Sequence, residues 1–88
     1  MALQRRVSVG CEDGLHARPA MQFAEIARKF KSAVTVTKDG RLVDAKSILD
    51  LLTLAADRGS ELIVDVDGED EEEAMNMVVS FLEGTCSQ

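Results

Sequence analysis

Leu62-Ile63-Val64-Asp65-Val66-Asp67-Gly68-Glu69-Asp70-Glu71 decides the fold of this 88-residue chain. Leu62, Val64 and Val66 alternate with Ile63, Asp65 and Asp67, the period of a strand with one buried face. Beyond Gly68 the period changes. An acidic run at 69–73 leads into Ala74, Met77, Val78, Phe81 and Leu82, which share one face of a helix from about 69 to 83. Carboxylates in its first turns suit the positive helix end. Residues 84–88 are expected to fray.

Working toward the N-terminus, Ile48, Leu49, Leu51, Leu52, Leu54 and Ala55 form a second helix, opened by Asp44–Ser47 and closed by Arg58-Gly59-Ser60. They are too dense for a one-sided stripe, so some must be exposed or meet a partner. Leu42 and Val43 form a short strand. Lys38-Asp39-Gly40 is a turn, and Val34 and Val36 alternate with Thr35 and Thr37 in the strand before it. A helix over 17–30 buries Met21, Ala24, Ala27 and Phe30, widened by Phe23 and Ile26. Pro19 sits in its first turn, where a missing amide hydrogen costs nothing. Leu3, Arg5, Val7 and Val9 alternate in the first strand.

The order is therefore β-α-β-β-α-β-α in one domain over residues 1–88. The economical arrangement is α+β, with three helices on one face of a four-stranded, mainly antiparallel sheet. The pattern alone does not choose the strand order. There is no internal repeat or linker.

Ten basic and sixteen acidic residues give a formal charge of -6, unsuited to nonspecific binding of nucleic acid. With three phenylalanines and no Trp or Tyr, a base-stacking platform is excluded. No apolar run approaches the ~20 residues needed to span a bilayer, and no signal segment follows the N-terminus. The expectation is a cytoplasmic monomer, with Cys11 and Cys86 both reduced. A core this small leaves little room for a deep cleft and favours a reactive group on the surface.

That group is His16, the only histidine, in Gly14-Leu15-His16-Ala17-Arg18-Pro19 where a loop opens the first helix. The amides of a first turn, here Ala17 and Arg18, lack intrahelical acceptors and bind anions readily. Arg18 adds a guanidinium suited to phosphate oxygens. Near neutral pH an imidazole presents an unprotonated nucleophilic nitrogen, and its P–N bond is labile enough to pass the group on. No cofactor is implied, and the chain reads as a co-substrate rather than an autonomous enzyme.

Residues 14–19 resemble the active-site motif of the HPr family, the histidine-containing phosphocarriers of the bacterial phosphotransferase system. Asp44-Ala45-Lys46-Ser47-Ile48-Leu49 is similar to the opening of that family's second helix, and Gly68-Glu69-Asp70-Glu71 to that of its third. The resemblance implies an open-faced β-sandwich with strand order 1-4-2-3. It also implies that His16 Nδ1 accepts a phosphoryl group from enzyme I and donates it to an enzyme II A-type component for sugar uptake. Arg18 then stabilises the phosphate, Ile48 and Leu49 form a docking patch, and Ser47 matches a regulatory phosphorylation site. Regulatory members would add an HPr kinase/phosphorylase and a transcriptional regulator as partners. Glu12, Asp13, Glu25 and Asp50 depart from well-known members by adding negative charge near His16 or the docking face.

Asp65-Val66-Asp67-Gly68 lacks the 12-residue spacing of a calcium loop. Cys11 with His16 offers only two zinc ligands, so no metal is expected. A Cys-His nucleophilic pair has no orienting group in the sequence. Ser47 also suits a plain N-cap. The alternative function is a regulatory binding module or a nitrogen-related phosphorelay controlled through His16, Ser47 or both.

Overall fold

The computed structural model describes residues 2–84. Its elements are β1 (Leu3–Ser8), α1 (Ala17–Arg28), β2 (Ala33–Lys38), β3 (Arg41–Asp44), α2 (Ile48–Leu52), β4 (Glu61–Asp67) and α3 (Glu71–Glu83). The strands form one antiparallel sheet in the order β1-β4-β2-β3, as the family resemblance implied. β4 is central. Its Val64 lies opposite Arg5 of β1 and Val36 of β2.

The alternation read in β4 is the alternation of burial. Leu62, Val64 and Val66 are fully buried, while the residues between them are half-buried or exposed. Each such side chain contributes roughly 1.5–3 kcal/mol by leaving water. The three helices cover that face. From α1 come Ala20, Phe23, Ala24 and Ala27, all fully buried, and α1 packs against both α2 and α3. The Phe23 and Phe81 rings stack at 6.1 Å between centroids and so join α1 to α3.

The β2–β3 hairpin turns at Asp39-Gly40, both with left-handed backbone. Farther along, the Asp70 carboxylate accepts hydrogen bonds from the Lys31 and Ser32 amides and from the Ser32 hydroxyl, clipping the segment before β2 to the start of α3. These bonds, the Ser32 hydroxyl first, hold the Asp70 carboxyl below its usual pKa.

Four expectations need correction. The second helix is only five residues long and does not reach Arg58. Thr53 Oγ1 donates to the Asp50 carbonyl at 2.6 Å, Ala55 takes φ 52°, and the chain turns toward the His16 loop. The buried face of α3 is Ala74, Met75, Val78, Val79 and Leu82, so Met77 is exposed and Phe81 only half-buried. Apolar residues at nearly every position from 74 to 82 leave the pattern compatible with a face rotated by one residue. On α1, Met21 is 45% exposed because Ala20, Phe23, Ala24 and Ala27 form the buried stripe. Finally, Cys11 is buried and disulfide-bonded, not a free thiol. Cys86 and the expected fraying at 85–88 lie outside the described residues.

Candidate functional site

His16 is the N-cap of α1, with extended backbone (φ -88°, ψ -161°). Its carbonyl accepts from the Ala20 amide at 2.8 Å and so begins the helix. Its side chain makes no capping bond and is 60% exposed. The imidazole therefore stands free above the helix opening. Pro19 has no amide hydrogen, and among the described residues neither the Ala17 nor the Arg18 amide meets an acceptor. Two donors and the positive end of a twelve-residue helix thus converge beside the ring. Arg18 is exposed, and its guanidinium has no ion pair among the described residues. It is available to an incoming anion.

The loop before His16 is held from below. Leu15 is fully buried, and its amide donates to the Ala56 carbonyl at 2.7 Å. Gly14 has φ +80° and lies against the same segment. A Cβ there would fall 2.6 Å from the Ala56 carbonyl oxygen and 2.9 Å from Asp57 Cα. A residue with a side chain would have to push the two loops apart.

This clamp places a residue that the sequence reading did not select. Asp57 Oδ1 lies 4.0 Å from His16 Nε2, the one ion-pair distance to this ring among the described residues. No local signal in the sequence marks Asp57, because a backbone bond between distant segments creates its proximity to His16. Glu12 and Asp13 lie in an exposed turn ahead of the clamp.

Ser47 precedes α2, and Ile48 and Leu49 open it; that helix packs beside α1. Ser47 is the N-cap of α2, with its Oγ accepting from the Asp50 amide at 3.2 Å. Ile48 is half-buried, whereas Leu49 is 76% exposed. The density of this apolar run thus resolves into core residues Leu51 and Leu54 and exposed residues Leu49 and Leu52. Among the described residues, no group of three or more His, Cys, Asp or Glu side chains gathers to hold a metal, and no helix is long and apolar enough to cross a membrane.

A family model for the PTS HPr component phosphorylation site matches residues 3–84. The phosphocarrier protein HPr of Haemophilus influenzae is 42% identical over 86% of this chain and 89% of its own. The crystal structure of HPr from Bacillus anthracis superposes with a TM-score of 0.90 at 37% identity, covering 92% of this chain and 96% of that one. Crh of Bacillus subtilis, whose crystal structure is described as a dimer with a swapping domain, matches with a TM-score of 0.77 at 40% identity, covering 98% and 99%. Full-length agreement in sequence, sheet order and helix placement leaves one assignment: the chain belongs to the HPr family, the phosphocarriers of the phosphotransferase system.

Proposed function

We propose that His16 accepts a phosphoryl group from phospho-enzyme I through Nδ1 and passes it to an enzyme II A-type component, serving sugar uptake in the cytoplasm. The observation that carries this reading is the exposed, uncapped imidazole beside the free amides of Ala17 and Arg18. The Nδ1 lone pair attacks phosphorus, a P–Nδ1 bond forms, and the donor's P–N bond breaks. Equatorial phosphate oxygens then accept from the two amides and from the Arg18 guanidinium. These contacts are few and wet, which suits a group that must leave again. The acceptor's nucleophile attacks the same phosphorus, and the P–Nδ1 electron pair returns to the ring. Leu49, with Ile48 beside it, supplies apolar docking surface on the adjacent helix.

Incubating the protein with phosphoenolpyruvate and enzyme I from the same organism should give one acid-labile phosphoryl adduct, absent from His16→Ala. No adduct with demonstrably active enzyme I refutes the relay.

A regulatory reading is favoured by the likeness to Crh and by Ser47. Phosphorylating Ser47 would set a dianion at the opening of the helix, where the amides favour it, and beside the exposed Leu49, weakening apolar docking there. An HPr kinase/phosphorylase is the expected modifier and a transcriptional regulator the expected reader. Retention of every cellular role by His16→Ala would favour this reading over the relay. The working form is taken as a monomer, since one chain covers its own sheet face. Light scattering that gives twice the chain mass would instead place it with the Crh dimer.

A further inference from the structure

We propose that Asp57 is a positioning residue that holds the Nε2 proton of His16 and so keeps Nδ1 free as the nucleophile. The inference rests on the relay reading for its catalytic meaning but not for its geometry. Asp57 has a backbone fixed on both sides. The Leu15 amide donates to the Ala56 carbonyl at 2.7 Å, the Asp57 amide donates to Ser60 Oγ at 3.0 Å, and the Ser60 amide returns to the Asp57 carbonyl at 3.0 Å. The close approach of Gly14 sets the distance between the two loops. On that frame the carboxylate stands 4.0 Å from Nε2, and both side chains are exposed and free to rotate into a hydrogen bond.

The chemistry follows from which nitrogen faces the acid. A carboxylate at Nε2 favours the tautomer with hydrogen on Nε2 and the lone pair on Nδ1. When Nδ1 attacks phosphorus, the Nε2 proton stays in place and the ring becomes a phosphoimidazolium, whose positive charge Asp57 faces. When the group leaves, the electron pair returns to Nδ1 and the leaving group is a neutral imidazole rather than an imidazolate. Nothing is oxidised, and no proton is lost in either direction. Asp57 acts through His16 and does not touch the phosphate.

The test uses the whole protein with 15N-labelled histidine, at a pH where the ring is neutral. Long-range 1H–15N spectra should show a larger Nε2–H share in the wild type than in Asp57→Asn, by roughly two- to five-fold in the tautomer ratio. That range corresponds to ~0.5–1 kcal/mol, the net worth of one exposed hydrogen bond from the neutral ring N–H to the carboxylate. The difference should shrink in 1 M NaCl, which screens a charge but not a structural defect, and Asp57→Glu should restore part of it. Protein phosphorylated chemically with phosphoramidate should also lose its group two- to five-fold more slowly in Asp57→Asn. An identical tautomer ratio in wild type and Asp57→Asn, or a difference indifferent to salt, overturns the proposal. Because the tautomer measurement needs no enzyme I, a failed phosphoryl transfer with an intact tautomer shift would sink the relay and leave this pairing standing.

Discussion

Replacing Gly14 by alanine tests the clamp beneath His16, with Gly59 as its control. Both residues have left-handed backbone, φ +80° and +87°. A Cβ at Gly59 meets nothing within 4 Å, so Gly59→Ala carries only the conformational cost. That cost is about 1–2 kcal/mol, offset by ~0.4–1 kcal/mol from the stiffer unfolded chain. A Cβ at Gly14 carries the same cost and also meets the Ala56 carbonyl oxygen at 2.6 Å and Asp57 Cα at 2.9 Å. Both obstacles are backbone, so neither can swing aside, and overpacking of this kind adds ~1–3 kcal/mol. The expected losses are about 2–4 kcal/mol for Gly14→Ala and near 1 kcal/mol for Gly59→Ala. At ~4–8 °C per kcal/mol in a domain of this size, thermal melts should fall by roughly 8–32 °C and roughly 4–8 °C. Phosphoryl transfer to Gly14→Ala, measured well below its melting point, should also slow, because the displaced loops carry His16 and Asp57. Equal melting points for the two variants would refute the reasoning that the Gly14 loop rests on the 56–57 backbone.

Ala55 holds φ 52° at an exposed position, so Ala55→Gly should gain roughly 0.5–1 kcal/mol in denaturant melts by removing the left-handed penalty. Arg18→Ala should lower kcat/KM for phosphoryl transfer from enzyme I about tenfold or more, the scale of one charge-assisted hydrogen bond, with Arg18→Lys between it and the wild type. Asp70 has its pKa depressed by the Ser32 hydroxyl and the Lys31 and Ser32 amides. The stabilisation it contributes is present above its unfolded value of 3.8 and is lost as pH falls through its lower folded value. Asp70→Asn should therefore melt below the wild type at pH 7, and the gap should close progressively once the pH drops under 3.8.

How much could be read in advance depended on whether a feature is local. Leu62, Val64 and Val66 announced their strand because alternation and burial coincide there. The helix opening at His16 was legible because Gly14 and Pro19 bracket it within a few residues. The end of α2 was not. Alanine is the best helix former, so nothing in Leu54-Ala55-Ala56 marks a stop; yet the helix ends at Leu52, where the Thr53 hydroxyl takes the Asp50 carbonyl and Ala55 turns to φ 52°, and beyond it the Leu15 amide meets the Ala56 carbonyl. That last bond brings Asp57 to His16, and the reading that missed the helix end also missed the acid. The rotated face of α3 has another cause. Met75, Met77, Val79 and Phe81 are all apolar, and tertiary packing rather than pattern chooses Met75 and Val79 for the core.

The relay turns on one nitrogen atom. On uniformly 15N-labelled protein phosphorylated by enzyme I, 31P–15N coupling should place a single phosphorus on Nδ1 of His16, with the Ala17 and Arg18 amides showing the largest shifts in the backbone spectrum. Phosphorus bonded to Nε2 or to another residue, or amides of Ala17 and Arg18 that stay unmoved, would contradict it.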